Sequence, residues 1–456
     1  MTECTPAELR SQAPGRREFV ARFDGGEITS DAGALLLGAL EERRGILRRL
    51  AGCFTDHRSP NRIEHTVGEL VSQRVLAITL GYEDVNDHEL LRLDPLLAAL
   101  AGKPDPKEKP LAAPATIHRL ELSHPELAPD DRYCRISLDT EAVDELLIDL
   151  FLEAHAEAPE EVVLDLDATD DPIHGKQQGR FFHGYYDCYC YLPLYIFAGD
   201  HLLCARLRTS DRDGASGSLE ELERIVPRIR AVWPQTRIVV RGDSGFCREW
   251  LMAWCESHEV EYVLGIARNE RLRAVIEPEL EETRLRHERS GEPERIFKSF
   301  AYRTLDSWSR SRRVVGKAEH LERGSNPRFV VTSFSEEEWE ARALYEELYC
   351  ARGDMENRIK EQQLDLFADR TSCQVMRANQ IRLYFSSFAY VLLSELRRIA
   401  LDGTEMARAQ CGTIRLKLLK IGARVRVTVR RIWVAMSESW PHRELLLHAW
   451  HRLRAA

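Results

Sequence analysis

The sequence predicts an α/β protein: a mixed sheet flanked by helices, preceded by a mainly helical region. Two observations carry this. Helical periodicity dominates the first 155 residues, and at Glu161 it gives way to β-branched, apolar runs. From there the elements run βββαβαβ, an order that suits a sheet with helices on its faces.

Residues 1–30 read as irregular, with Asp24-Gly25-Gly26 as a turn. Apolar spacing predicts helices from Ala32 to Ala51 and from Ile63 to Leu80. The polar break Gly81 to His88 precedes another short helix, residues 102–113 form a Pro- and Lys-rich loop, and Asp139 to Ala156 is helical again. Val162 to Asp167 is a strand by its apolar, β-branched content. Two more strands follow near Tyr185–Phe197 and His201–Arg208. Ser216 to Val232 is a helix, with Ser218 as cap and Glu220-Glu221 in its first turn. Arg237 to Arg241 is a buried strand ended by Gly242-Asp243-Ser244-Gly245; a helix and the strand Tyr262–Ile266 follow. Residues 269–325 interrupt the pattern with a charged segment and then β-like runs. Pro327 to Phe334 is a strand, Glu336 to about Asp365 a long helix, and from Arg377 onward the chain is mostly helical until the basic run near the end.

Composition narrows the function. The chain has 456 residues, 44% of them hydrophobic, enough for several domains with real cores. No apolar run approaches the ~20 residues a membrane span needs. Met1 to Arg17 is polar, so no secretory signal is expected and the protein is placed in the cytoplasm. Eleven scattered cysteines without a CxxC pair suit reduced thiols rather than a disulfide or zinc framework. The net charge of −10 excludes a uniformly basic coat, but the distribution is uneven. Between Cys411 and Trp433 there are seven Lys/Arg and no acid; between Arg295 and Arg328 there are nine against three. Two basic patches on an acidic protein suit a polyanion, unless both are merely solvated faces.

Three acids stand apart. Asp167 ends the first core strand, where alternation puts Asp165, Asp167 and Thr169 on one face. Asp243 lies just past another strand. Strand ends in such sheets hold ligands and metals on fixed backbone. Glu356 shares a helix face with Arg352 and Tyr349, beside an apolar stripe of Leu344, Leu348, Met355 and Ile359 that would dock the helix on the sheet. Three converging carboxylates fit two hard cations such as Mg²⁺, the arrangement that activates a nucleophile and stabilises the leaving oxygen in phosphoryl transfer. In a chain with 74 acids, spacing alone also allows Arg352–Glu356 to be a surface ion pair.

Several stretches together resemble bacterial insertion-sequence transposases of the DDE class. Leu164-Asp-Leu-Asp-Ala-Thr-Asp-Asp171 with His174-Gly175 is similar to the first-aspartate strand, with Asp-x-Thr starting at Asp167. Arg241-Gly-Asp-Ser-Gly-Phe246 is similar to the second-aspartate motif. Tyr349-x2-Arg352-x3-Glu356 is similar to the family's signature helix, and Gly81 to His88, Arg92-x-Asp94-Pro95 and Asp369-Arg-Thr-Ser372 add to the likeness. The resemblance spans roughly residues 20–435. It implies an RNase H-like core with a β-rich insertion before the last catalytic helix, and Asp167, Asp243 and Glu356 as metal ligands for Mg²⁺, with Mn²⁺ able to substitute. It further implies that Tyr349 and Arg352 position DNA phosphate. The family pattern places a lysine at 363, where this chain has Gln363; Lys360, one turn earlier, is the candidate to contact DNA in its place.

The implied organisation is a helical region at 1–155 for DNA-end binding and assembly, the core in two parts at 156–268 and 326–400, the insertion at 269–325, and a basic helical region at 401–456. In the insertion, Trp308 with Arg312 and Arg313 is a candidate for stacking a flipped base. Arg424, Arg426, Arg430 and Arg431 are candidates for phosphate contacts. The implied activity is cleavage at transposon ends and strand transfer into target DNA. The implied partners are terminal inverted repeats, target DNA and further copies of the chain. Two alternatives share these features: a domesticated DNA-binding regulator, and an RNase H-like nuclease without strand transfer. Gly242-Asp-Ser-Gly245 is also similar to the nucleophile loop of trypsin-like proteases, but Phe246 follows where they carry glycine, and the surrounding pattern is βα.

Overall fold

The computed structural model describes residues 8–12, 17–107, 109–125 and 134–455. Much of the polar Met1–Arg17 segment and part of the 102–113 loop therefore lie outside the described residues. The chain divides into two compact units, one from residues 1–139, 365–367 and 388–456, the other from 140–364 and 368–387.

The second unit is built on one large sheet. Its strands are β1 (Glu161–Ala168), β2 (Leu194–Ala198), β3 (His201–Arg206), β4 (Arg237–Gly242), β5 (Glu261–Ile266), β6 (Glu294–Tyr302), β7 (Arg312–Leu321) and β8 (Arg328–Thr332). Their spatial order is β3-β2-β1-β4-β5-β8-β7-β6. β2 runs antiparallel to both β1 and β3, whereas β4 runs parallel to both β1 and β5. Three antiparallel strands followed by two parallel ones, ordered 3-2-1-4-5, are the topology of an RNase H-like core, as the resemblance implies. Leu164, Leu166, Ile238 and Val240 point to one side of the sheet, where helices α1 (Thr140–Glu153), α2 (Ser218–Val232) and α3 (Glu249–Ser257) cover them. Ile148, Phe151, Leu222, Ile225, Met252 and Cys255 supply the helix side of that core. The start of α2 differs from expectation: Gly217, at φ 83°, occupies the cap, and the Ser218 hydroxyl instead donates to the Ala215 carbonyl at 2.7 Å.

Residues 269–325 do not make a separate β body. Their charged part is helical, with α4 (Glu277–Ser290) the longer piece. Its ends explain this: Pro278 and acids open it, His287 and Arg289 close it, and Gly291 at φ 71° terminates it. Arg284–Glu288 and Arg286–Glu282 add ion pairs one turn apart. The hairpin β6–β7 then joins the central sheet through β8, and Tyr302, Trp308 and Val314 enter the same core as Leu164.

The first unit is mainly helical, as its periodicity predicts. Thr66 and Glu69 form a reciprocal capping box at the start of Val67–Thr79. Gly45 at φ 61° divides the predicted helix 32–51 into two. The C-terminal basic run departs from the helical expectation. Ala423–Val427 and Ile432–Met436 form a β-hairpin that pairs with Glu27–Thr29. The reason is its period of two: Ala423 and Val425 are buried while Arg424 and Arg426 are exposed.

Candidate active site

Strand β1 places two aspartates on the side of the sheet opposite Leu164 and Leu166. The first, Asp165, is buried and gripped from the neighbouring strand. Arg241, its register partner on β4, donates through Nε to Oδ1 at 2.5 Å and through Nη2 to Oδ2 at 2.7 Å. The remaining Nη1 donates to the Leu348 carbonyl, which ties the pair to the helical segment above. Asp165 is therefore fully engaged, and burial still pushes its carboxyl above the ordinary carboxylate range. Asp167, two residues further, escapes this grip and keeps 18% of its side chain exposed.

Asp243 follows the last residue of β4, and the Gly245 amide donates to its Oδ1 at 2.8 Å. Beside it, Gly265 on β5 makes room for the helix. A Cβ there would lie 2.7 Å from the Tyr349 hydroxyl and 2.9 Å from the Ser244 nitrogen. Tyr349 thus reaches across β5 toward Asp243.

The segment from Ala341 to Asp365 is helical throughout but irregular. π turns at Leu344–Tyr349 and Glu361–Asp365 flank a 3₁₀ turn and the helix α5 (Gly353–Lys360). Leu344, Leu348, Met355 and Ile359 are all buried, and the first two pack on Val239 and Val263. That docking turns Tyr349, Arg352 and Glu356 toward the strand ends. The Arg352 guanidinium then bridges two carboxylates, with Nη2 2.6 Å from Glu356 and Nη1 3.7 Å from Asp167.

The electrostatics reflect this convergence. Burial, helped by Asp243 and Glu356 and opposed by Arg352, pushes the Asp167 carboxyl up to about 6. Burial opposes the charge on Arg352, but Asp167 and Glu356 outweigh it and hold that guanidinium above its ordinary value. Two carboxylates that raise the proton affinity of a third form a site that a cation would relieve. The donor set is oxygen only and partly open to solvent, which fits a hard divalent ion rather than zinc.

The other candidates lie elsewhere. Lys360 is exposed at the end of α5. Gln363 is turned inward: its amide donates to Asp171 Oδ1 at 3.1 Å and to the Asp170 carbonyl at 3.2 Å. Asp171 is wholly buried and its carboxyl is pushed far up by that burial, so a neutral amide suits it better than a lysine would.

Trp308, Arg312 and Arg313 face the protein interior. Trp308 is 4% exposed, edge-on to Tyr302. Arg312 is held between Glu249 and Glu256, each at 2.6 Å, and Arg313 donates to Ser299 and to the carbonyls of Phe334, Ser335 and Trp339. The buried Trp308 ring and the engaged ends of Arg312 and Arg313 run against the expectation of a base stacked there. Arg424, Arg426, Arg430 and Arg431 are exposed on the hairpin of the other unit, where Arg426 and Arg431 lie 5.8 and 5.6 Å from the exposed Trp433 ring.

The residue that sequence reasoning missed is Arg241. Its signal was available: an arginine on one buried strand beside an aspartate on another calls for a pair.

Residues 11–456 match the family described as Transposase DDE domain group 1. No curated protein matches the chain. Among solved structures, it is similar to the cryo-EM structure of the piggyBac transposase synaptic complex with hairpin DNA. The identity is 11% over 84% of this chain and 78% of that chain, with a TM-score of 0.38.

Proposed function

The chain belongs to the DDE transposase family, and on that premise we propose that Asp167, Asp243 and Glu356 hold the divalent cations, Mg²⁺ in the cell, with which this transposase cuts its DNA. The observation that carries the reading is the Arg352 bridge: one guanidinium spans a strand-end aspartate and a helix glutamate, and a second strand-end aspartate acts on the same charge. When bound, the cations lower the proton affinity of the attacking oxygen and stabilise the leaving one. In cleavage, a water oxygen bonds to phosphorus and the 3′-oxygen of the transposon end leaves with a proton. In strand transfer, that 3′-hydroxyl bonds to a target phosphorus, displaces the target's 3′-oxygen and passes its proton on.

The protein's own part is alignment. The sheet fixes two carboxylates on rigid strand ends, and the docked helix brings the third. Arg352 offers a planar fork that grips phosphate oxygens in pairs, whereas lysine offers a point charge. Arg352→Lys is therefore expected to slow single-turnover cleavage of a pre-bound end on the order of 100-fold, with little change in affinity. A rate within twofold of wild type would instead make Arg352 a structural partner of Glu356.

The helical unit, with its C-terminal hairpin, is assigned to transposon-end binding and to assembly of two or more copies. On its ribbon, alternate arginines project outward while Val425 anchors the inner face. Changing Arg424, Arg426, Arg430 and Arg431 to glutamine is expected to lower the slope of log affinity against log salt by roughly 3 to 4, about 0.9 per lost phosphate contact. An unchanged slope would mean that these arginines are only solvated. Among the described residues no helix is long and apolar enough to cross a membrane.

A further inference from the structure

The stretch linking β1 to β2 folds as a small antiparallel ribbon, Phe181–His183 against Cys188–Tyr191. Its turn is closed by Asp187 at φ 54°, a left-handed conformation that non-glycine residues rarely adopt. The ribbon is crowded with rings that the core does not use. Tyr185 is 85% exposed and Phe182 54%. Tyr185 is edge-on to Tyr186 at 5.0 Å, and Phe182 to Tyr189 at 5.5 Å. The Arg180 guanidinium lies 3.7 Å from the Tyr189 ring centre.

The ribbon is tied to the candidate active site. The Tyr186 hydroxyl donates to the Ala168 carbonyl at 3.2 Å, one residue from Asp167. From Pro172 to Gly199 the only acid is Asp187, against Lys176 and Arg180. Exposed ring faces with adjacent guanidinium, fixed beside a phosphodiester-cleaving centre, are the chemistry that holds unpaired bases.

We propose that this ribbon is a base-stacking clamp: Tyr185, backed by Tyr186, takes the face of an unpaired nucleobase next to the scissile phosphate, and Arg180 on Tyr189 meets the neighbouring backbone. The inference rests on the reading of the carboxylate site. Because every base has a π-face, the clamp selects unpaired geometry rather than sequence.

The test uses the full chain and a duplex transposon end whose unpaired flanking nucleotide is 2-aminopurine. Wild-type protein is expected to quench its fluorescence on binding, and so is Tyr185→Trp. Tyr185→Ala is expected to lose the quench and to cleave roughly 5- to 100-fold more slowly in single turnover. Tyr185 is so exposed that its removal leaves the fold intact. Equal quenching by wild type and Tyr185→Ala would overturn the clamp. So would a Tyr185→Ala variant that keeps the quench but sediments as a smaller assembly, since the ribbon would then face a second copy of the chain. The quench needs no chemistry: loss of cleavage in every divalent ion with the quench intact would refute the metal reading and leave the clamp standing.

Discussion

Arg241→Met is expected to destabilise the catalytic unit by about 3–5 kcal/mol, the cost of leaving one partner of a buried ion pair uncompensated. Asp165, 3% exposed, would keep its carboxylate without the guanidinium that now satisfies both oxygens. The Leu348 carbonyl would lose its donor as well, at a place where the helical segment departs from regular α geometry. For a unit of this size the loss corresponds to a fall in melting temperature of roughly 6–20 °C. Pairing the change with Asp165→Leu removes the orphaned charge, so the double variant is expected to recover much of the stability. Thermal unfolding of the two variants checks this. A melting temperature for Arg241→Met within 2 °C of wild type would show that Arg241 does not tie β1, β4 and the helix together.

The parts of this structure that local sequence could reveal are those with a local physical cause. Val162 to Asp167 and Arg237 to Arg241 read as strands because β-branched runs in a sheet buried on both faces leave no other pattern. The docking face of the signature helix was legible from Leu344, Leu348, Met355 and Ile359, since helical spacing puts them on one side. What was missed depends on partners distant in sequence. Arg312 looked like a surface cation, but Glu249 and Glu256, more than fifty residues earlier, enclose it. Trp308 looked available because an aromatic among cations does not reveal which side of it faces Tyr302. The hairpin at Ala423–Met436 lies within the region expected to be basic and helical, 401–456, although its Arg-Val-Arg-Val alternation is a strand signal. That signal is only a few residues long, and its third strand, Glu27–Thr29, lies near the other end of the chain. Gln363 is a different case: the missing lysine was visible, but its reason, a fully buried Asp171, was not.

Asp243→Asn is expected to abolish cleavage while leaving end binding nearly unchanged. The amide keeps the size of the side chain and can still accept the Gly245 hydrogen bond that holds it at 2.8 Å. What it removes is a negative charge and an anionic oxygen from a set of three carboxylates. Loss of one such ligand should weaken the hold on the cation and forfeit several kcal/mol of transition-state stabilisation; about 4 kcal/mol is roughly 10³-fold in rate. On the proposed reading, DNA affinity rests on phosphate contacts outside this set, so it should barely move. The direct measurement is single-turnover cleavage of a transposon-end duplex in Mg²⁺, with affinity measured alongside by gel shift. The account predicts wild-type affinity with a rate at least about 10³-fold down. Cleavage by Asp243→Asn at the wild-type rate would contradict it.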